Sequence, residues 1–259
     1  MRKFALVAPT VVISATLLIL AACHAGSSTR PGSPSATQTP TPSPVPRTPV
    51  RFAATDGVRI AGSLFGSGRL GVVLGHGSDG SQQDWWVFAQ TLARDHFAAL
   101  AIDFRGYCPG GAAGCSQDGS TADAWKDMLG GARYLEAQGA RKVVLMGSSM
   151  GATASIVAAA HPFTGVAGVV SLSGSSLCCG MVANQAVIER IHVPMLLVVG
   201  RLDEGFVSST RTWGRWAGSA ADTAILGSGE HGVDLLRFAP PNIRERVSDL
   251  ILGFLREVH

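Results

Sequence analysis

The hydrophobic positions of the chain form short runs that alternate with amphipathic segments. Two strand-like runs, residues 50–54 and 58–65, flank the pair Asp56-Gly57, which is a strong signal for a two-residue hairpin. Six further apolar runs predict buried strands at residues 70–74, 97–102, 142–146, 166–172, 195–199 and 223–226. Helical periodicity predicts helices at residues 84–95, 121–137, 152–160 and 243–258, and more weakly at 181–190 and 208–217.

This alternation of strands and helices predicts the fold class. It indicates an α/β fold with a mostly parallel central sheet and helices on both of its faces. Reactive groups of such sheets collect in the loops at the carboxyl ends of the strands, so candidate chemistry is expected there. A length of 259 residues, of which 46% are hydrophobic, fits one main domain with appendages.

Composition and charge narrow the classes of function. Charged residues make up only 15% of the chain and its 32 glycines are spread along it, which argues against disorder and against a coiled coil. The formal net charge is +3, and Arg2 and Lys3 account for two of those charges. A surplus this small predicts no nucleic-acid partner.

The first residues have the order of a secretory signal. Arg2 and Lys3 precede a mostly apolar stretch over residues 4–22, and no later run is long enough to span a bilayer. The stretch ends in Leu20-Ala21-Ala22-Cys23, which resembles the bacterial lipobox. The resemblance implies that residues 1–22 are removed and that Cys23 is lipidated, which would anchor the protein to the cell membrane or envelope outside the cytoplasm. An ordinary leader with a chance cysteine is the alternative.

A tether is predicted over residues 23–49. From position 24 to position 49 the chain has 7 prolines and 10 serines or threonines, a composition that favours extended polyproline conformations over a packed core. The folded domain is therefore expected to span residues 50–259.

The segment Gly147-Ser148-Ser149-Met150-Gly151 fits the pattern G-x-S-x-G. It lies directly between a predicted strand, residues 142–146, and a predicted helix, residues 152–160, as a nucleophile elbow requires. The serine of such an elbow occupies a strained turn, and the two glycines supply the space that the turn needs. In these features residues 50–259 resemble the α/β-hydrolase superfamily. The resemblance implies an α/β-hydrolase fold and a serine hydrolase with Ser149 as nucleophile.

The same resemblance implies a catalytic triad in the chain order serine, acid, histidine. Asp203 follows the apolar run that predicts a strand at residues 195–199, and His231 lies in a loop before the final predicted helix. In this scheme His231 takes the proton of Ser149, and Asp203 orients the imidazole. The neighbouring Glu204 is the rival acid, but its side chain is expected to point elsewhere.

An oxyanion hole would need two backbone donors. The resemblance assigns the first to the N–H of Met150, and the second to Ser78, because Gly75-His76-Gly77-Ser78 resembles the family's His-Gly element. His76 is expected to be a structural hydrogen-bonding residue. Asp79 departs from the family pattern, since a carboxylate in the hole would oppose the developing charge, and it is expected to point outward or to cap the helix beginning near Asp84.

Two other classes of function remain open. Gly75-x-Gly77-x-x-Gly80 follows a predicted strand, and Asp103 comes 23 residues after Gly80, as in a dinucleotide-binding oxidoreductase. That interpretation leaves the three triad residues unexplained, so no cofactor is expected. Asp103-Phe104-Arg105-Gly106 also resembles a structural D-x-R-G element of the hydrolases. A non-catalytic binding lipoprotein on a hydrolase scaffold is the second alternative.

Four cysteines follow Cys23, and they allow three disulfide pairings. Local pairing, Cys108 with Cys115 and Cys178 with Cys179, is slightly preferred over bridges across the mouth of the site, and free thiols are a further alternative. No histidine has ligand spacing with the cysteines, so no metal site is expected.

The mouth of the site is expected to be open under a minimal cap, because only about 20 residues separate Ser173 from Pro194. An acyl pocket could be lined by tryptophans, although helix aromatics more often belong to the core; the candidates are Trp85, Trp86, Trp213 and Trp216. The resemblance to the α/β hydrolases implies an enzyme that hydrolyses a carboxylic ester with a small or medium acyl group. Amides, thioesters and short peptides are open substitutes. A monomer is the expectation, although no feature of the sequence determines the oligomeric state.

Overall fold

The computed structural model describes residues 43–108, 114–163 and 165–259. The predicted signal segment, Cys23 and most of the predicted tether lie outside these residues. Within the described ranges, no helix combines the length and the apolar character needed to cross a lipid bilayer.

The strands build one large sheet and one small hairpin. In chain order they are β1 (Arg47–Ala53), β2 (Arg59–Phe65), β3 (Leu70–Gly75), β4 (Ala98–Asp103), β5 (Lys142–Ser148), β6 (Val166–Leu172), β7 (Leu177–Cys178), β8 (Met181–Val182), β9 (Met195–Gly200) and β10 (Ala221–Leu226). The large sheet has the order β1-β2-β4-β3-β5-β6-β9-β10, and β7 pairs with β8. Strand β2 is antiparallel to both of its neighbours, and every pair from β4 to β10 is parallel. The predicted α/β class with a mostly parallel sheet is confirmed.

Helices cover both faces of this sheet. They are α1 (Trp86–Arg94), α2 (Ala124–Ala137), α3 (Met150–Ala159), α4 (Gln185–Ile188), α5 (Glu204–Ala217), α6 (Asp234–Arg237) and α7 (Pro241–Val258). In β3, Val72 and Leu74 pack with α1 and α7, while Val73 packs on the opposite face with α2 and α3. Because both faces are covered, β3 and β4 are buried along their whole length, which explains their continuous apolar sequence.

Several element boundaries differ from those predicted. β1 begins at Arg47, three residues early, because residues 47–49 continue the antiparallel pairing with residues 63–65, and Pro49 therefore lies in this outer strand. The helix expected from residue 84 is instead a 3-10 turn, Gln82–Trp85, followed by α1. The start of α5 is four residues earlier than predicted, and α6 was not predicted.

The helix predicted at residues 181–190 is wrong over most of its length. Cys179 and Gly180 have positive φ angles of +56° and +83°, and they reverse the chain between β7 and β8. The helical part is limited to α4, where the side chain of Asn184 accepts a hydrogen bond from the N–H of Val187 (3.1 Å). A short hairpin and one helical turn thus replace the long helix, and the cap over the sheet is small, as expected.

Arg105 ties the loop after β4 to two other segments. Its guanidinium is 2% exposed and forms a double hydrogen bond with Asp56, in the turn between β1 and β2 (2.9 and 3.0 Å). It also contacts Asp127 of α2 at 2.7 Å. The hydrogen bond from Arg105 lowers the pKa of Asp56 from 3.8 to about 2. These contacts support the structural role that was expected of the D-x-R-G element.

This pKa gives a pH-dependent stability. The unfolded chain binds a proton at Asp56 more readily than the folded protein does, so the stabilisation is present above pH 3.8 and is lost as the pH falls towards 2. With allowance for solvent screening, we expect the loss to be about 1 kcal/mol of unfolding free energy. Urea unfolding from about pH 5 to about pH 2 measures it against Asp56→Asn, whose deficit relative to wild type should shrink in acid. A deficit that stays constant would contradict this origin.

Candidate active site

A strained residue joins β5 to α3. Ser149 has φ +53° and ψ −111°, a region that residues with a side chain rarely occupy. Two backbone hydrogen bonds hold this turn: the N–H of Ser149 donates to the carbonyl of Leu172 (2.9 Å), and the N–H of Gly151 donates to the carbonyl of His76 (3.1 Å). The backbone therefore has the sharp strand-to-helix turn that the sequence predicted.

The two glycines of the motif are required by space. A Cβ atom on Gly147 would overlap the backbone of Gly151, and a Cβ atom on Gly151 would overlap the backbone of Gly75 at the end of β3. The colliding atoms are backbone atoms that cannot move aside cheaply. Close packing of β3, β5 and α3 around the turn thus depends on the absence of these side chains.

His231 and Asp203 are brought together from separate loops. Nδ1 of His231 lies 2.9 Å from Oδ2 of Asp203, whose side chain is 9% exposed. Asp203 follows β9 and directly precedes α5, and Glu204 is exposed beside it. The ring of Phe206, one turn along α5, lies 4.2 Å from the imidazole. An imidazole whose Nδ1–H donates a hydrogen bond to a carboxylate keeps Nε2 free as a base.

The His231 loop is fixed to the ends of two central strands. The N–H of Gly232 donates to the hydroxyl of Ser173 after β6, and the N–H of Val233 donates to the hydroxyl of Ser148 at the end of β5, both at 2.9 Å. Sequence reasoning did not find these two serines. Ser148 is a variable position of the G-x-S-x-G pattern, and nothing local marks it as a partner for a residue 85 positions away.

Ser149 and His231 line one cavity of about 230 Å³, together with the loop that contains Gly77, Asp79 and Gly80. The cavity lies at the carboxyl edge of the sheet. Ser149 and His231 therefore lie at one site, and His231 is hydrogen-bonded to Asp203.

The two predicted oxyanion donors, Ser78 and Met150, are sequence neighbours of residues that line this cavity. Met150 is the first residue of α3, where a backbone N–H has no partner within the helix. Ser78 is exposed in the loop after β3. That loop lies against the elbow, since a Cβ atom on Gly77 would be 3.5 Å from Cβ of Ser149. The donor roles of Ser78 and Met150 stay predictions.

Asp79 does not cap a helix as one expectation had it. Ser81 and Asp84 form the capping box instead, in which the Asp84 side chain accepts from the N–H of Ser81 (3.0 Å). Asp79 is exposed and lies on the rim of the cavity. Two more rim carboxylates, Asp84 and Asp234, contact the guanidinium of Arg237 at 2.8 and 3.2 Å. Burial, with Asp84 and Asp79 nearby, raises the pKa of Asp234.

His76 lies under the same loop and is fully buried. Its Nδ1 is 2.6 Å from the carbonyl of Gly77, and its Nε2 accepts from the N–H of Phe104 (3.1 Å). Burial lowers the pKa of His76, so the neutral ring serves as a structural hydrogen-bonding residue.

Tyr107 is a site residue that the sequence analysis missed. Its hydroxyl donates to the carbonyl of Ser78 (2.8 Å) and lies 3.8 Å from Sδ of Met150, while its ring packs edge-on against His76 at 4.6 Å. Burial raises the pKa of the Tyr107 phenol, which keeps it protonated as a donor. One side chain therefore contacts both residues predicted to supply oxyanion donors.

The cysteines follow the expected pairing only in part, and the tryptophans belong to the core. Cys108 and Cys115 form a disulfide, which confirms the local pairing, whereas the sulfurs of Cys178 and Cys179 are 2.7 Å apart and unbonded. The tryptophans have the role that the sequence analysis held to be more common for helix aromatics: Trp85 and Trp213 are fully buried in the core, and Trp86 and Trp216 pack against it. In the described part of the chain, no group of three His, Cys, Asp or Glu side chains could hold a metal ion.

The glycine pattern after β3, Gly75-x-Gly77-x-x-Gly80, lacks the surroundings that a dinucleotide-binding site requires. Asp103, the residue expected to bind a ribose, is fully buried, and its carboxylate accepts from the backbone N–H and the side-chain amide of Gln82 (2.9 and 2.5 Å). The helix after the pattern begins at Trp86, beyond an intervening 3-10 turn. A pyrophosphate would need that helix directly after the third glycine.

A sequence model of a protein family described as alpha/beta hydrolase fold matches residues 72–211 of the chain. This match covers more than half of the sequence, and the chain belongs to the alpha/beta hydrolase fold family. No curated protein matches it in sequence.

Solved structures with the same fold include esterases and dienelactone hydrolases. The esterase Pf2001 of Pyrococcus furiosus is 16% identical with a TM-score of 0.65, over 81% of this chain and 93% of that one. A dienelactone hydrolase of Anabaena variabilis is 19% identical with a TM-score of 0.67, over 83% and 99%. A thermophilic esterase of Thermogutta terrifontis is 18% identical with a TM-score of 0.60, over 82% and 100%. These likenesses establish the fold.

Proposed function

We propose that this protein is a serine hydrolase that cleaves a carboxylic ester through an acyl-enzyme on Ser149. The observation that carries the proposal is the 2.9 Å contact between His231 and Asp203 at a cavity that His231 shares with the strained Ser149. A carboxylate, an imidazole and a hydroxyl in this order are the parts that nucleophilic catalysis by serine requires.

In the proposed reaction, Oγ of Ser149 attacks the ester carbonyl carbon while Nε2 of His231 takes the hydroxyl proton. The N–H groups of Met150 and Ser78 stabilise the negative oxygen of the tetrahedral intermediate. The intermediate collapses to the acyl-enzyme as His231 gives its proton to the departing alcohol. Water, deprotonated by His231, then releases the carboxylic acid and restores Ser149. Asp203 holds the imidazole and stabilises its charged form throughout.

The size of the site supports a small or medium acyl group. The cavity at Ser149 holds about 230 Å³, and its walls include charged side chains. The neighbouring structures named esterase and dienelactone hydrolase support ester substrates in general. Thioesters and amides use the same chemistry, and the shape of the pocket decides among them.

A fluorophosphonate probe tests the proposal, because it reacts with an activated serine and with little else. Mass spectrometry of the labelled wild-type protein should place the adduct on Ser149, and the same preparation should hydrolyse p-nitrophenyl butanoate. A folded protein that is neither labelled nor active would favour the non-catalytic binding alternative.

We also propose that the domain works outside the cytoplasm, anchored by lipid on Cys23. The support is the sequence of residues 1–49 described above. Expressed in a bacterial host, the wild-type protein should partition with membranes, and Cys23→Ser should be released or retained as an unprocessed precursor. A soluble, processed wild-type protein would contradict the anchor.

Tyr107 is expected to position the oxyanion loop without touching substrate. Tyr107→Phe removes the hydrogen bond to Ser78, so we expect kcat to fall about tenfold with little change in KM, since the loss affects the transition state. Tyr134→Phe is the matched control, because Tyr134 is the only other tyrosine of the chain and packs against Phe52. Steady-state kinetics of both variants measure the effect. Equal losses in the two, or a change confined to KM, would contradict a positioning role.

A further inference from the structure

An apolar groove adjoins the catalytic cavity. The groove has a volume of about 450 Å³ and lies between α1, α6 and α7. Its apolar side chains include Val87, Phe88, Leu236 and Phe238. Val87 is 77% exposed and Phe238 is 63% exposed, although both are large hydrophobic residues. Side chains of this kind at the edge of a groove mark a surface that is covered when an apolar ligand binds.

The groove and the catalytic cavity share part of their walls. Asp84, Val233 and Arg237 line both of them. The shared wall contains the ion pair between Nη1 of Arg237 and Oδ1 of Asp84, at 2.8 Å, with side chains that are 35% and 20% exposed. A hydrocarbon chain that extends from Ser149 into the groove would run along this shared wall, beside the half-buried pair. Displacing water from paired charges without replacing their hydrogen bonds is unfavourable.

We propose that the Arg237–Asp84 ion pair sets the length of acyl chain that the site accepts. It closes the catalytic cavity against the groove, so that short acyl groups fit at Ser149 and the far end of a longer unbranched chain is kept out. The occupant that the groove fits, once the pair is absent, is the distal part of such a chain. This inference rests on the proposed esterase function and adds to it the residues that determine acyl-chain length.

The charge-neutral double variant Asp84→Asn/Arg237→Leu tests this role. It removes both members of the pair, and the asparagine oxygen can still accept the capping hydrogen bond from Ser81. The probes are p-nitrophenyl esters from acetate to octanoate. Since each buried methylene contributes about fourfold, we expect the octanoate-to-butanoate ratio of kcat/KM to rise at least about tenfold over wild type.

The chain offers a matched control on the same helices. Arg256 of α7 pairs with Asp95 at the end of α1 at 2.6 Å, away from the groove. The double variant Asp95→Asn/Arg256→Leu makes the same chemical changes and should leave the ratio within about twofold of wild type. An equal rise in this control would overturn the proposal.

Two further variants keep the test decisive. Arg237→Met leaves Asp84 in its capping box and should raise the ratio in the same direction if the double variant does not fold. Adding Ser248→Trp to the double variant fills the groove from α7, which Ser248 lines, and should return the ratio towards the wild-type value. A ratio that does not respond to Arg237→Met, or that stays high with tryptophan at position 248, would overturn the proposal.

Failure of this inference can be told from failure of the proposed function. A wild-type protein that is unlabelled by fluorophosphonate and inactive on every ester would refute the function itself. A wild-type protein that is labelled and active, with a chain-length ratio that Arg237→Met does not move, would refute only the role of the ion pair.

Discussion

Replacing Ser149 with alanine is expected to lower kcat for p-nitrophenyl butanoate by a factor on the order of 10⁵ or more. In the proposed mechanism the variant lacks the oxygen that forms the acyl-enzyme, and the activity that remains would come from substrate binding and oxyanion stabilisation alone. The same change should abolish labelling by a fluorophosphonate. Alanine keeps all the backbone contacts at the elbow, so the fold should be retained. Circular dichroism can check this.

Ser148 is the appropriate control because it is the adjacent serine of the motif. Its hydroxyl accepts from the N–H of Val233, and the residue is 3% exposed. Ser148→Ala removes the hydrogen bond from Val233 but keeps Ser149, the proposed nucleophile, so the variant should still be labelled and should lose far less activity. If labelling persisted in Ser149→Ala and disappeared in Ser148→Ala, the nucleophile would be Ser148 and the assignment to Ser149 would be wrong.

The second large effect is expected from Asp203→Asn, which should lower kcat on the order of 10⁴-fold with a smaller change in KM. The side chain keeps its size, but an amide that donates to Nδ1 of His231 leaves the proton on Nε2. The imidazole then cannot take the proton of Ser149. Steady-state kinetics near neutral pH measure the loss.

Glu204→Gln provides the comparison for this change. Glu204 is the next residue, it is exposed, and it is the rival acid in the sequence. Its substitution should leave kcat within about twofold of wild type, because a solvated surface carboxylate contributes little to the site. If Glu204→Gln lost activity while Asp203→Asn retained it, the assignment of the acid would be reversed.

Much of the fold could be predicted because its central strands are buried on both sides. Strands β3 and β4 have no exposed residue, so their sequence is a continuous apolar run that is easy to recognise. The elbow could be predicted because sterics demand glycine at Gly147 and Gly151. Asp203 and His231 were predicted from the triad order that the resemblance to the α/β-hydrolase superfamily implies, and their loops meet because the carboxyl ends of parallel strands lie at one edge of the sheet.

The residues that were missed act through contacts between distant segments. Tyr107 contacts Ser78 across 29 positions, and the direction in which its hydroxyl points depends on the path of the loop after β4. Arg237 lies on α6, a helix of four residues that is too short for any periodic signal. For the tryptophans the sequence left core and pocket lining as alternatives, because both roles favour the same aromatic residues.

The two outer strands of the sheet carry residues that discourage association between copies. Pro49 in β1 has no N–H to offer a new partner, and Arg47 and Arg51 give that strand exposed positive charge. Asp222 places a negative charge on β10 at the opposite border. Edge strands of this kind discourage pairing with a strand of a second molecule, even at high local concentration. We expect the protein to stay monodisperse under conditions in which a protein with an uncharged, apolar edge strand would aggregate.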